Sequence, residues 1–195
     1  MSLITFNSPR PVLADRFSRS AIANIALVVF AAAFVGVLAQ ISIPLGFTPV
    51  PLTGQTFGIM VAGAALGWRR AALAMCLYVI AGLAGVPWFA GGASGYVGPN
   101  FGYLIGFVLS AAALGWLASR GNDRAVAGSL ISMALADTVI FVFGVGWLAN
   151  YLHVSLATAL HLGFYPFVWG ELIKAGVAGL TLPTAWRLVD RATKH

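Results

Sequence analysis

Between Arg19 and the pair Arg69-Arg70 the chain reads, from Ser20 to Trp68, SAIANIALVVFAAAFVGVLAQISIPLGFTPVPLTGQTFGIMVAGAALGW, 49 residues without one charged side chain. A hydrocarbon layer of about 30 Å takes about 20 apolar residues in a helix, so this stretch suits two membrane spans and one turn. The turn is marked by Pro44, Pro49 and Pro51, which bar a helix interior. Working outward, Ala71 to Ser119 is a second uncharged stretch, and Ala125 to Trp186 holds just three charges, Asp137, Glu171 and Lys174. Each block reads as a helical hairpin. The expected fold is therefore an all-α integral membrane protein of six transmembrane helices, a single domain over residues 1–195 with Met1 to Ser20 as a cytoplasmic N-terminal segment. The expected spans are Ala21–Ile41, Gln55–Leu66, Ala71–Pro87, Phe101–Ala118, Ala125–Leu148 and Phe167–Trp186. The second is short for a bilayer, so part of the proline-rich turn before it should dip into the membrane, packed against protein.

Composition agrees. Hydrophobic residues make up 60% of the chain and charged residues 8%, against about 25% charged in soluble domains. The net charge of +6 does not indicate nucleic acid, because the basic residues punctuate the apolar blocks. Arg10, Arg16 and Arg19 precede the first, Arg69 and Arg70 follow it, Arg120 and Arg124 follow the second, and Arg187, Arg191 and Lys194 end the chain. By the positive-inside rule that side is cytoplasmic, with both termini inside a multi-pass protein of the cell membrane. The turns near residues 42–54, 88–100 and 149–166 then face outward. Trp68, Trp116 and Trp186 fall at expected inner ends and Trp88, Trp147 and Trp169 at outer ends, as interfacial rings should. The basic start resembles a signal peptide, but its apolar run is too long, and we expect it to be retained. Cys76 alone excludes an internal disulfide or a thiolate metal site, and reads as packing.

Small residues at four-residue spacing, Gly63 with Gly67, Gly102 with Gly106 and Ala32 with Gly36, allow close helix approach. Packing within the chain explains them best, with docking onto a partner as the second reading for Ala32 and Gly36.

Lys174 is the one basic residue away from the cytoplasmic boundary, and Glu171 precedes it by three positions, on the same helical face. A charge at mid-membrane costs roughly 2.5–3.5 kcal/mol on insertion scales. The two either neutralise each other to fix the last helix, or share a ligand to which Lys174 donates and from which Glu171 accepts. Their place below an outward turn favours the ligand. The first turn, stiffened by proline, ends in polar Thr53 and Gln55. The second, Pro87-Trp88-Phe89-Ala90-Gly91-Gly92-Ala93-Ser94-Gly95-Tyr96-Val97-Gly98-Pro99-Asn100, mixes glycines with aromatic rings. Such a mixture gives tight turns, close backbone approach and flat apolar walls, the makings of a small-molecule pocket. It lacks the Gly-Lys-Ser/Thr ending of a phosphate loop, so ATP binding by this chain is not expected. Asp137 lies nearer mid-membrane and reads as a protonated or hydrogen-bonded acid, with a proton-coupling role as an alternative. His153 and His161 lack a carboxylate at metal-ligand spacing, so no metal site is expected. Tyr151, Tyr165 and Trp169 fit either a pocket cap or interface anchors.

Three features taken together, in this order and spacing, resemble the BioY family, the biotin-binding S components of energy-coupling factor transporters. They are Pro49-Val50-Pro51-Leu52-Thr53-Gly54-Gln55-Thr56, the run from Gly91-Gly92 through Gly98-Pro99 to Gly102-Tyr103-Leu104, and the acid-x-x-Lys of Glu171 and Lys174. The resemblance covers nearly the whole chain. It implies capture of biotin outside the cell, a coupling transmembrane subunit and two ATPase subunits as partners, and no cofactor in this chain, since ATP is used by the partners. Two departures stand out. Glu171 replaces an acid that is often Asp, and the Ala-x-x-x-Ala docking pattern of the first helix meets Phe30 when started from Ala26, which leaves Ala32 and Gly36 as substitutes. Biotin offers a urea carbonyl, two N–H groups and a carboxylate. The expected binding residues are Glu171 and Lys174, with Thr53, Gln55, Ser94 and Asn100 for polar contacts and Trp88, Phe89, Gly92, Ala93, Tyr96 and Tyr103 as walls. Lys174 meets either the urea oxygen or the tail carboxylate, and the shared face with Glu171 favours the urea.

Other function classes fit less of the chain. An intramembrane enzyme acting on a lipid needs a nucleophile or metal beside Glu171 and Lys174, and no His, Cys or Asp cluster accompanies them. An S component for a different vitamin shares the architecture and differs only in the pocket. The oligomeric state, a homo-oligomer included, is left open by the sequence.

Overall fold

The structure, a computed structural model, describes residues 10–17, 20–95 and 97–192. Ser20 opens helix α1 (Ala21–Ala39) by accepting the Ala23 amide on its Oγ at 3.1 Å, an N-cap that satisfies one of the first free amides. Two residues of β1 (Ser42–Ile43) pair antiparallel with β2 (Leu52–Thr53), Ser42 opposite Thr53. Then come α2 (Gln55–Leu66), α3 (Trp68–Leu83), α4 (Phe101–Ala118), α5 (Val126–Leu152), α6 (Leu156–Gly163) and α7 (Val168–Ala192). Of the described helices, α1, α4 and α5 are long and apolar enough to cross a membrane. Their outer surfaces carry large exposed apolar side chains, among them Ile22, Phe30, Ile131 and Val142. So broad an apolar exterior marks a protein whose solvent is lipid.

The bounds of α2 and α4 coincide with the expected spans, and the others differ at one or both ends. The small β pair departs from the expected all-helical pattern. Prolines at 44, 49 and 51 prevent helix, so the extended arms of the turn pair with each other and satisfy their backbone groups. Helix α6 is also new, set within the third of the turns expected to face outward and capped by Ser155, whose Oγ accepts the Thr158 amide at 3.2 Å. Helix α3 starts three residues before the expected Ala71 because Gly67 turns the chain in one step. Its φ of 77° and ψ of 161° lie where L side chains are strained, and α2 passes into α3 without a loop.

Helix α4 occupies the centre, packed on α5, α2 and α3. Helix α1 covers α3 and α2, while α7 closes against α5 and α2. Glycines set the closest approaches. A Cβ added at Gly106 would stand 2.8 Å from the Ile140 Cα, and one at Gly63 would stand 3.0 Å from the Leu114 Cβ. Ala32 and Gly36, read first as packing residues and second as a docking pair, are buried within the chain. Ala32 is fully covered, and Gly36 makes room for Trp88, whose ring carbon would lie 3.1 Å from an added Cβ.

The basic end is tied together by side chains. Val12, Leu13 and Ala14 are buried in the core, so residues 10–17 pack as part of the bundle. Arg70 pairs with Asp15 and donates to Asn24 Oδ1 at 3.2 Å. In the turn between α4 and α5, buried Asp123 accepts the indole N–H of Trp186, and Arg124 stacks 4.2 Å over that indole while donating to the Pro11 carbonyl at 3.2 Å. Burial pushes the Asp123 carboxyl above its usual range, with the Trp186 N–H and Arg124 pulling the other way. Trp186, expected at the membrane interface, is therefore a buried clasp at 3% exposure.

Because the α4–α5 contact runs backbone to backbone at Gly106, Gly106→Ala should destabilise the protein by about 1–3 kcal/mol through overpacking. Gly146→Ala, on α5 with nothing within 4 Å of the added carbon, should be neutral or stabilising. Thermal unfolding of both variants in detergent checks this.

Candidate functional site

At the end of the bundle opposite the Asp123 clasp lies a cavity of about 330 Å³, within the range of small-molecule sites. Its floor and walls are apolar, from Leu104 and Phe107 of α4, Ile140 and Phe141 of α5, Phe167, and Phe89 of the second loop. The first turn contributes Pro44, Thr48 through Pro51 and Thr53, and α2 contributes Gln55 and Thr56. Glu171 and Asn100 complete the polar lining.

Most of the polar groups are already engaged. Gln55, 4% exposed, accepts from Thr53 Oγ1 at 3.0 Å and donates to the Tyr78 hydroxyl at 2.6 Å. That hydroxyl donates to the Trp88 carbonyl at 3.0 Å, and Trp88 Nε1 donates back to the Tyr78 carbonyl at 2.9 Å. Tyr78 thus joins the first turn, α2, α3 and the second loop through one side chain. On the other wall, Thr48 Oγ1 donates to the Leu162 carbonyl and the Tyr103 hydroxyl to the Gly163 carbonyl, both at 2.7 Å. These two bonds satisfy carbonyls at the end of α6 that the helix itself leaves free.

Glu171 and Lys174 form the ion pair expected from their spacing, with Lys174 Nζ 2.7 Å from Glu171 Oε1 and 2.9 Å from Thr56 Oγ1. Both side chains are largely buried. Glu171 Oε2 is buried and has no partner, and the same holds for Asn100 Oδ1, whose amide Nδ2 donates to the Pro49 carbonyl at 3.3 Å. Both residues line the cavity. A buried acceptor left unmade costs about 1–3 kcal/mol, more when charged, so the site is ready for N–H donors.

Of the expected binding residues, Thr53, Gln55, Phe89, Ala93, Asn100, Tyr103 and Glu171 line the cavity. Lys174 stands behind the wall, one hydrogen bond from lining residues Thr56 and Glu171. Trp88 is held against Tyr78 and Gly36, outside the lining. Gly91 and Gly92, at φ 66° and 81°, turn the second loop outward, so Gly92 is exposed and Ser94 falls off the wall. Tyr96 lies outside the described residues. Sequence reasoning passed over Thr56 and Tyr78, and the apolar floor of Phe107, Ile140, Phe141 and Phe167. Thr56 directly follows Gln55 in the motif, which was a usable signal. His153 ends α5 at φ 55°, His161 packs 5.0 Å from the Tyr165 ring, and no group of metal-holding side chains occurs among the described residues.

The chain is similar to known proteins over most of its length. The BioY family profile matches residues 11–191. This chain belongs to the BioY family. Similar relatives include the "Biotin transporter BioY" of Thermotoga maritima, 43% identical over 76% of this chain and 86% of that protein. The "Biotin transporter BioY" of Rhodobacter capsulatus is 35% identical over 83% of this chain and 92% of its own. A crystal structure of the S-component for biotin from an ECF-type ABC transporter superposes with a TM-score of 0.78 at 25% identity, covering 87% of this chain and 95% of that one. BioY proteins are transport components and not enzymes, and this chain is one of them.

The Tyr78 junction gives a test. Tyr78→Phe leaves buried Gln55 Nε2 without its acceptor and should lower stability by about 1–3 kcal/mol. Amide exchange should also accelerate across the loop from Trp88 to Gly95. Thermal unfolding and hydrogen exchange by mass spectrometry read the two effects separately.

Proposed function

We propose that this chain captures biotin in the cavity beneath its outward loops and delivers it across the cell membrane. The observation that carries the reading is the unpartnered, buried Oε2 of Glu171 in the cavity lining, on a carboxylate held by Lys174. The fused rings of biotin present two N–H groups on a urea. Glu171 Oε2 accepts one and Asn100 Oδ1 is placed to accept the other, while Phe89, Phe107, Phe141 and Phe167 surround the apolar sulfur ring. Lys174 orients Glu171, and a turn of its side chain past Thr56 would carry it toward the urea oxygen. The names of the relatives support the same ligand.

In this reading the chain is one domain with six spans. Helices α1, α3, α4, α5 and α7 each supply one, and α2 joins the inward-packed segment 44–53 to make the other. Alone, α2 reaches about 18 Å at 1.5 Å per residue. The basic end, with Arg10, Arg69, Arg70, Arg120, Arg124 and Arg187, faces the cytoplasm together with both termini. A coupling transmembrane subunit and two ATPases supply energy, as the likeness to a component of an ECF-type ABC transporter suggests. With Ala32 and Gly36 buried, the exposed face of α1 that carries Ile22, Ile25, Val29 and Phe30 is the surface left for that subunit.

Calorimetric titration of the purified protein with biotin, against thiamine and riboflavin, tests the assignment. Selective biotin binding is expected, weakened by about 2–5 kcal/mol in Lys174→Ala, which strands a buried carboxylate. Unchanged affinity in a folded Lys174→Ala protein removes the pair from the site, and binding of another vitamin instead replaces the ligand.

A further inference from the structure

Biotin carries a carboxylate at the end of its tail, and the cavity offers an anion little. Among the lining residues Glu171 is the one acid, and there is no lysine, arginine or histidine. The sequence makes this general. Ser20 to Trp68, which supplies the first turn and α2, and Ala71 to Ser119, which supplies the second loop and α4, hold no charged residue. From Val126 to Trp186 the one lysine or arginine is Lys174, whose Nζ is held by Glu171 Oε1 at 2.7 Å and Thr56 Oγ1 at 2.9 Å. Turning it onto a ligand carboxylate would leave Glu171 without its partner, and breaking a buried pair in that way is strongly unfavourable. His153 and His161 are exposed, and neither lines the cavity.

The lining is also graded in depth. Phe107, Ile140, Phe167 and Glu171 are buried, and of the lining residues Pro44 and Pro49 alone are exposed. The cavity therefore meets water along the first turn. That rim is short of donors as well as of charge. Pro44, Pro49 and Pro51 have no N–H. The Thr48 amide donates to the Leu45 carbonyl at 2.9 Å, the Val50 amide to Thr48 Oγ1 at 3.2 Å, and the Thr48 hydroxyl to the Leu162 carbonyl at 2.7 Å. A carboxylate taken out of water without a partner is heavily penalised. With the urea on buried Glu171, the apolar tail runs to the proline rim and its carboxylate stays in water.

We propose that the site selects the bicyclic urea of biotin and leaves the end of the tail unrecognised, so that neutral amides and esters of biotin are ligands of the same cavity. The proposal rests on the biotin reading and deepens it. It gives Lys174 to the ring end of the ligand, through Glu171, and gives the tail end no cation. A charge that remains in water contributes less than about fivefold to affinity. A carboxylate held by a buried cation would contribute about thirtyfold or more. Neutral donors, whether water or a loop amide, serve an amide carbonyl as well.

The test is a competitive calorimetric titration of the full chain in detergent with biotin, its primary amide and its N-hexyl amide. Both amides should bind within about fivefold of biotin. A larger loss with either one overturns the proposal, with the primary amide because the charge is recognised, and with the hexyl amide because the end of the tail is enclosed. Lys174→Ala supplies a second measurement. It should weaken biotin and the primary amide by the same factor, since the lysine acts at the ring end. A loss confined to biotin would put the carboxylate on Lys174 and overturn the proposal. Absence of binding of all three ligands by folded wild type overturns the biotin reading itself, a result distinct from binding of biotin without its amides.

Discussion

The contact between Lys174, Glu171 and Thr56 is the constraint around which the rest of the molecule is arranged. An ammonium inside an apolar bundle must have partners, and here they come from its own helix and from α2. That requirement locks α7 to α2 at the level of the cavity, and it leaves Glu171 with one oxygen bonded and one spare. Much of the remaining lining can then be apolar, since a few polar groups suffice for orientation and the walls supply affinity. The same arrangement explains why the first turn is extended. A helix in residues 44–53 would leave its last turn against the cavity, whereas extended chain lets Thr48, Val50 and Thr53 reach it one by one.

Charge and hydropathy carried the architecture well, because a membrane leaves a chain few choices. Uncharged blocks bounded by arginine were expected as helical hairpins, and α2 and α4 begin and end where the apolar runs meet glycine, asparagine or serine. The acid-lysine spacing was equally readable, since three residues on a helix fix a shared face. Depth was not. Spacing placed Lys174 beside Glu171 and said nothing of which one faces the cavity, and the structure puts Thr56 in front of the ammonium.

The loops and the tryptophans show where composition stops short. The glycine-rich loop was legible as a wall, but two left-handed glycines decide which residues face inward, and that choice depends on Tyr78 and Gly36 far along the chain. Helix α6 is eight residues in a polar-flanked turn, below the length at which a hydropathy pattern stands out. Trp186 matched the rule for interfacial rings by position alone. A buried aspartate in a neighbouring turn offered its N–H a stronger partner than the headgroup layer.

The hydroxyl of Tyr78 touches a side chain from α2 and the backbone of the loop that follows α3, while its ring supports Trp88 and Phe89. Through Gln55 it reaches the end of the proline-rich turn. Two stretches of chain that are far apart in sequence and form opposite lips of one opening are therefore geared to a single phenol. The two lips are tied to each other by the same three hydrogen bonds, so neither can be displaced without straining the other.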